Sequence, residues 1–197
     1  MKNHFFLYKP CGMLSQLSSG NAKQRSKKRF LSELYHFPPG SMPIGRLDEK
    51  SEGLLLMTTD GKLSDWVNQS GLEKEYYAQL DGEIDQEALK KLENGIEIGF
   101  EGKKYNTQPC RVQMLEEHPS LPPADPRLRI GLHRPSSWIS ITIQEGKFRQ
   151  VRKMTAAVGF PTLRLIRVRI GQFHIGNLNP GEVLPFNPKS LVPGELN

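Results

Sequence analysis

The chain has 197 residues, enough for one domain or a compact unit with two lobes, and its net charge of +6 with an isoelectric point near 9.3 favours an anionic partner. Its two cysteines form no disulfide framework and lack the Cys-His spacing of a zinc site, so we expect a reducing, cytoplasmic location. No apolar run approaches the about 18 residues of a membrane span, and the N-terminus lacks the apolar stretch of a secretory signal.

Short elements are predicted over the first 44 residues. Residues 5–8 predict a strand, which the Lys-Pro-x-Gly step at residues 9–12 ends. Apolar residues at helical spacing predict a short helix after Ser26, which ends at the Pro-Pro-Gly step of residues 38–40. Residues 15–29 are polar, and a solvated loop and an RNA-facing loop are equally good interpretations. This polar stretch ends in a basic run that contains Arg25, Lys27, Lys28 and Arg29.

The stretch from Gly45 to Gly61 passes from polar and charged residues into an apolar run over residues 54–57. A short apolar run bounded by glycines predicts a buried strand. Asp48 is therefore expected on a loop that leads into a rigid strand, where a scaffold can position a carboxylate. Taken alone, this residue also fits an aspartate in a surface turn.

Alternating side chains over residues 74–81 predict a strand with Tyr76 on its apolar side. On this pattern alone, Tyr76 also fits a core aromatic residue. A helix is predicted from an N-cap at Asp85 to Gly95, followed by strands over residues 96–115. Residues 116–136 are predicted to form an irregular excursion, because their proline- and arginine-rich composition is too poor in apolar residues for a core.

Residues 138–144 alternate isoleucine with polar residues and predict another strand. Residues 147–158 predict a helix, and residues 163–170 predict a strand whose apolar phase slips, so that a bulge and burial on both faces stay open. The tail of residues 187–197 is expected to be loose. The apolar side of the helix predicted over residues 147–158 consists of Phe148, Val151, Met154 and Val158. Its basic residues Arg149, Arg152 and Lys153 are predicted to share one face.

Residues 146–181 contain basic residues and no acidic ones. The basic residues there alternate with apolar core positions. This alternation indicates a folded surface, for which phosphate binding is the natural function. The basic residues of this segment up to position 169 are Lys147, Arg149, Arg152, Lys153, Arg164, Arg167 and Arg169.

Three segments resemble, in the family's order, the pseudouridine synthases of the ribosomal small-subunit type. They are Gly45-Arg46-Leu47-Asp48 with Ser51-Glu52-Gly53-Leu54-Leu55, then Lys74-x-Tyr76, and finally Gly146 to Gly171. The resemblance covers roughly residues 3–186 and implies an α+β catalytic domain over residues 1–186. The implied domain has an extended mixed or antiparallel sheet flanked by short helices, two lobes and a central cleft. Most family members carry a small domain resembling ribosomal protein S4 before the Lys-Pro-x-Gly strand, where this chain begins. We therefore expect residues 15–29 and 116–136 to help choose the RNA site.

The resemblance implies that a specific uridine of ribosomal RNA, in the large subunit, is isomerised to pseudouridine. The N1–C1′ bond breaks and C5 joins C1′, which needs neither a cofactor nor a metal. Asp48 is the implied catalytic carboxylate, either as a nucleophile at C1′ or as the base that removes a ribose proton. Arg152 is the implied partner of Asp48, and Tyr76 is implied to stack on the extruded base. The expected RNA-binding residues are Arg46, Lys74, Arg149, Lys153, Arg164, Arg167 and Arg169.

Other classes of protein stay open on the sequence. One is a non-catalytic RNA- or ribosome-binding protein in which Asp48 is structural. A pseudouridine synthase that acts on another RNA also stays open. Another class is a hydrolase that uses paired carboxylates such as Asp48 and Glu52, although no second motif nominates the partner. A metal-dependent nuclease would need an acidic cluster, which the basic half lacks. We expect a cytoplasmic monomer that binds ribosomal RNA and binds neither a membrane nor a metal ion.

Overall fold

We describe the protein from a computed structural model, which describes residues 2–128, 130 and 135–191. Its backbone contacts divide the chain into two compact units. Unit 1 comprises residues 1–72 and 167–197, and unit 2 comprises residues 73–166. Short helices and mostly antiparallel strands make up both units, which confirms the predicted α+β class.

Unit 1 contains an antiparallel sheet in which one central strand, Glu52–Thr58, is buried along its whole length. The first strand of the chain pairs with it from His4 opposite Thr58 to Lys9 opposite Gly53. This register brings the end of the first strand beside the start of the central strand. The strands of unit 1 are β1 (His4–Lys9), β2 (Met13–Leu14), β3 (Arg29–Phe30), β4 (Met42–Ile44), β5 (Glu52–Thr58), the end of β11 (Thr162–Ile170), β12 (Phe173–His174) and β13 (Val183–Pro185).

The helices of unit 1 are α1 (Ala22–Lys27) and α2 (Gly61–Gln69). The helix predicted after Ser26 is wrong: α1 ends at Lys27, and a single 3-10 turn, Leu31–Glu33, follows β3. Phe30 and Leu31 are buried, so their apolar spacing reflects core contacts of an extended segment and a turn. A second 3-10 turn, Pro188–Ser190, precedes the buried Leu191, so this part of the tail expected to be loose is folded. Residues 192–197 lie outside the described residues.

Unit 2 contains an antiparallel sheet in the order β6, β10, β9, and a separate hairpin of β7 and β8. The predicted strands over residues 74–81 and 138–144 are confirmed. The predicted N-cap of α3 is also confirmed, because the Asp85 side chain accepts a hydrogen bond from the Ala88 amide at 2.7 Å. The elements of unit 2 are β6 (Lys74–Asp81), α3 (Gln86–Glu93), β7 (Glu97–Phe100), β8 (Lys103–Asn106), β9 (Arg111–Leu115), β10 (Ser136–Ile143), α4 (Gln150–Ala157) and the start of β11.

The helix predicted over residues 147–158 begins later than expected. It starts at Gln150, and Arg149 before it has a left-handed backbone with φ of +55°. Phe148 therefore leaves the helical phase and is 66% exposed, so its place in the inner stripe was wrong. Val151 and Met154 are buried as predicted.

Burial explains the slip in the apolar pattern of β11, and the structure describes most residues of the predicted irregular excursion. All residues from Arg164 to Val168 are buried, so burial on both faces explains the phase slip. The described residues between β9 and β10 contain no helix or strand, as predicted. The excursion's Arg129, His133 and Arg134 lie outside the described residues.

Candidate active site

The predicted catalytic aspartate lies on residues 45–51 of unit 1, which connect β4 to β5 and which we call the Asp48 loop. The loop begins at Gly45, whose φ of +66° is a left-handed conformation that glycine adopts without strain. Leu47 is buried, Arg46 is exposed and Asp48 is half-buried. The Ser51 amide donates to the Asp48 carbonyl at 3.0 Å. The loop is thus anchored in the core by the residue directly before Asp48.

The backbone on both sides of Asp48 is held by the segment of residues 9–15. The Ser15 hydroxyl donates to the Leu47 carbonyl at 2.8 Å and accepts from the Leu47 amide at 2.9 Å. On the other side, the Gly12 amide donates to the Glu49 carbonyl at 2.7 Å. These bonds fix the position from which the Asp48 carboxylate projects.

A buried lysine ties the same two segments together. Lys9 is fully buried, and its Nζ donates to the carbonyls of Met13 at 2.6 Å, Pro10 at 2.9 Å and Glu49 at 3.4 Å. Burial lowers the pKa of Lys9 from 10.5 to about 8, because the charged ammonium has lost its hydration. Attraction to nearby groups opposes this shift and couples the ammonium to the proposed catalytic carboxylate; these groups are Cys11, Glu52, Asp48 and Glu49.

Glu52, the second carboxylate of the hydrolase alternative, lies at the start of β5 and is only 3% exposed. The Tyr8 hydroxyl donates to its Oε2 at 3.0 Å. A carboxylate in this position is part of the interior of unit 1. This burial disfavours a paired-carboxylate hydrolase, because both carboxylates must reach the bond that is cleaved.

Unit 2 carries the other two predicted catalytic residues. Tyr76 lies on β6 opposite Ile141 of β10, and it is 8% exposed. Arg152 lies on α4, is half-buried and donates from Nη1 to the Thr162 carbonyl at 3.0 Å. Its predicted pairing with Asp48, which belongs to the other unit, stays a prediction.

Two of the predicted RNA-binding arginines are buried. Arg164 in unit 2 is 3% exposed and donates to the Pro122 carbonyl at 2.9 Å. Arg167 in unit 1 is 4% exposed and donates to the Leu54 carbonyl at 2.8 Å. A guanidinium that is buried in this way is a poor candidate for phosphate contact, and a role of Arg164 and Arg167 in RNA binding stays a prediction.

The other predicted RNA-binding residues keep part of their surface exposed. Arg46 and Arg149 are exposed, and the remaining three each donate to a backbone carbonyl while staying half-buried. Lys74 donates to Gln144 at 3.1 Å, Lys153 to Gly99 at 2.7 Å and Arg169 to Gly171 at 2.8 Å.

Sequence reasoning missed the contacts that hold the Asp48 loop. Lys9, Gly12 and Ser15 were assigned only to a strand end and a polar stretch, since their loop partners lie 32 to 40 residues further along the chain. The Lys-Pro-x-Gly step was the available signal. It marks a turn in sequence, and the structure shows that this turn also binds the loop.

The described residues contain neither a cluster of metal ligands nor a helix that could span a membrane. Within residues 2–128, 130 and 135–191, His, Cys, Asp and Glu side chains form no group of three or more that could hold a metal ion. No helix in this part of the chain combines the length and apolar character needed to cross a membrane.

Comparisons with known proteins match nearly the whole chain. The family model described as RNA pseudouridylate synthase matches residues 3–157. A protein of Xanthomonas campestris pv. campestris, named ribosomal large subunit pseudouridine synthase E, is 42% identical over 178 residues, which cover 89% of this chain and 91% of its own. Ribosomal large subunit pseudouridine synthase B of Bacillus subtilis is 31% identical over 95% of this chain and 69% of its own. A crystal structure of a pseudouridylate synthase shows the same fold, with a TM-score of 0.76 and 24% identity over 97% of this chain and 73% of its own.

Proposed function

Because the chain belongs to the RNA pseudouridylate synthase family and is an enzyme that isomerises uridine in RNA, we propose that its substrate is a uridine of large-subunit ribosomal RNA. The relative from Xanthomonas campestris pv. campestris supports this substrate, since its name gives the large ribosomal subunit and it aligns over nearly the full length of both chains. The net charge of +6 suits a polyanionic partner.

The arrangement of the Asp48 loop carries this proposal. Reaction at one ribose carbon needs a carboxylate that is held within a fraction of an ångström, and misplacement is costly in rate. Hydrogen bonds fix the backbone at Leu47 and Glu49, the two neighbours of Asp48, while Asp48 itself keeps part of its surface open. This combination of a fixed backbone and an accessible side chain suits a catalytic group.

Asp48 serves the isomerisation in its ionised form. As a nucleophile it attacks C1′ and displaces the base, and as a general base it removes a ribose proton as the N1–C1′ bond breaks. Both routes need the negative charge, and the buried ammonium of Lys9 interacts favourably with that charge. The freed uracil then turns and its C5 bonds to C1′, which displaces the Asp48 carboxylate in the nucleophilic route and follows return of the ribose proton in the base route. C5 loses its proton and N1 gains one, so no atom is gained or lost.

Tyr76 and Arg152 have supporting roles in this proposal. The target base has to leave its stack before Asp48 can reach C1′, at a cost of a few kcal/mol. Stacking on the ring of Tyr76 recovers about 1–3 kcal/mol of that cost. For Arg152 we propose the role that the family resemblance implies, that of a charged partner for the Asp48 carboxylate.

The location, the oligomeric state and the metal requirement of the protein are part of the same proposal. We propose that the protein acts in the cytoplasm as a monomer and without a metal ion. Cys11 and Cys110 are thiols that are not joined in a disulfide, which suits the reducing compartment that we propose.

The proposal is tested by carbodiimide-based mapping of pseudouridine in ribosomal RNA from cells with and without this chain. We expect one large-subunit position to lose its modification in the deleted cells. Expression of the wild-type chain should restore it, and expression of Asp48→Asn should not. An unchanged map, or restoration by Asp48→Asn, would contradict the proposal.

A further inference from the structure

Lysines and aromatic rings alternate in space on one part of unit 2, formed by the β7–β8 hairpin and the segment around the start of α4. Lys147 Nζ lies 5.4 Å from the centre of the Phe100 ring and 5.1 Å from that of Tyr105. Lys153 Nζ lies 5.8 Å from the ring of Phe100 and 5.4 Å from that of Phe148. We call these five residues the aromatic–lysine cluster.

Phe148 is the most exposed of the large hydrophobic residues in the cluster. It is 66% exposed, which is more than any other large hydrophobic residue in the described part of the chain. A phenyl ring gains stability from burial, and the sequence places Phe148 in phase with the buried stripe of α4. The structure turns it outward instead.

The outward turn is made by a strained backbone. Arg149, directly after Phe148, has φ of +55°, a left-handed conformation that is uncommon for a residue with a side chain. Such conformations persist where the surrounding structure imposes them, and they are concentrated at functional sites. The fold therefore maintains a ring that gains little stability from burial, directly before a residue with a strained backbone.

The base of the cluster is rigid. The Tyr105 hydroxyl donates to Glu145 Oε2, and Glu145 Oε1 accepts from the Gln108 amide at 2.9 Å and from Gln150 Nε2 at 2.5 Å. Lys153 donates in addition to the Gly99 carbonyl at 2.7 Å. These bonds connect β7, β8 and α4, and they hold the Tyr105 ring and the Lys153 ammonium in place before a ligand arrives.

We propose that the aromatic–lysine cluster binds an unpaired nucleotide of RNA, with its base stacked on Phe148 and its phosphate beside Lys147 and Lys153. Every base offers a π-face to an exposed aromatic ring, and adjacent cations meet the phosphate that the base carries with it. Arg149, which is also exposed, adds to the positive charge at this place. The inference rests on the proposed function for the identity of the RNA, and it adds a site for a nucleotide besides the one that reacts.

The test compares two labelled probes of equal charge: an oligouridylate of about twelve nucleotides, and an oligomer of the same length that lacks all bases. We expect Phe148→Ala to bind the oligouridylate about 5- to 100-fold more weakly than the wild type and to bind the abasic oligomer equally well. Phe148→Trp should retain the affinity for the oligouridylate. Met114→Ala, which removes another exposed apolar side chain of unit 2, should bind both probes as the wild type does.

Three results would overturn the inference: no measurable binding of the oligouridylate by the wild type, equal affinity of wild type and Phe148→Ala, or an equal loss on both probes. Conversion of ribosomal RNA, measured in parallel, separates this inference from the proposed function. Pseudouridine formed by a Phe148→Ala protein with unchanged binding would refute only the stacking site. The expected binding pattern in a protein that forms no pseudouridine would refute only the substrate.

Discussion

The Ser15 hydroxyl and the Leu47 backbone exchange two hydrogen bonds, of 2.8 and 2.9 Å, one residue before the proposed catalytic Asp48. Both Ser15 and Leu47 are buried, so water cannot replace either bond. The position of the carboxylate therefore depends on a serine that lies in a polar stretch of the sequence far from it.

Ser15→Ala should leave the amide and carbonyl of Leu47 buried without these partners. We expect the free energy of unfolding to fall by about 1–3 kcal/mol. The rate of single-turnover conversion should fall by about 10- to 100-fold, because the carboxylate loses its fixed position, while RNA affinity stays unchanged. Ser32→Ala is the matched control, because its hydroxyl makes one exposed bond, to the Leu17 carbonyl. Equal conversion rates in the two variants would show that Ser15 does not position Asp48.

Lys9 should make stability depend on pH in an unusual direction. The pKa of Lys9 is about 8 in the folded protein and 10.5 when it is solvated, so the unfolded chain binds more protons between these values. The contribution of Lys9 to the free energy of unfolding therefore rises with pH across this window and is lowest below pH 8.

The measurement compares urea unfolding of the wild type and Lys9→Met from pH 7 to 10. We expect the wild type to gain about 2–3 kcal/mol relative to the variant over this range. Burial also raises the pKa of Cys110, to about 11, and of Tyr77, which acts in the opposite direction but equally in both proteins. A stability difference that does not change with pH would mean that Lys9 keeps its ordinary pKa.

The effects of backbone strain and of positive charge at Arg149 can be measured separately with two substitutions. Arg149→Gly and Arg149→Ala both remove the guanidinium, but only glycine adopts the left-handed backbone without strain. The glycine variant should be about 1 kcal/mol more stable than the alanine variant. Both variants should reduce the salt dependence of RNA binding by about 0.7 to 0.9 in log–log slope. An unchanged slope would exclude Arg149 as a phosphate contact, and equal stabilities would exclude the strain.

Tyr76 is buried in the core and also has a proposed stacking role, so a substitution that tests stacking must keep a large apolar side chain. Truncation to alanine would cost about 3–5 kcal/mol by opening a cavity. Tyr76→Leu keeps an apolar side chain without a π-face, and Tyr76→Phe keeps the ring. We expect the Phe variant to convert RNA as the wild type does and the Leu variant to be about 5- to 100-fold slower.

Tyr77→Leu, on the opposite side of β6, is the control for this substitution and should leave conversion unchanged. Wild-type conversion by Tyr76→Leu would remove the stacking role. A Phe variant as slow as the Leu variant would show that the hydroxyl takes part.

The sequence predicted what depends on local pattern and missed what depends on distant contacts. Alternation predicted correctly that Tyr76 and Ile141 lie in strands with buried side chains, because strand periodicity is a property of neighbouring residues. Phe148 fitted the predicted helical spacing as well as Val151 did. Phe148 is exposed and Val151 is buried, because the left-handed backbone of Arg149 separates Phe148 from the helix. The role of Ser15 depends on a partner 32 residues away, which no local pattern records.

The conversion of ribosomal RNA by Asp48→Asn tests the central claim most directly. Asparagine has nearly the same shape, so the fold should keep its stability to within about 1 kcal/mol. It lacks the charge, basicity and nucleophilicity of the carboxylate, so the rate should fall by at least about 10² to 10⁴. In single-turnover reactions with binding measured in parallel, we predict unchanged RNA affinity and no detectable pseudouridine. Near-wild-type conversion by Asp48→Asn would contradict the account, and an equal loss of binding and conversion would make Asp48 a structural residue of the RNA site.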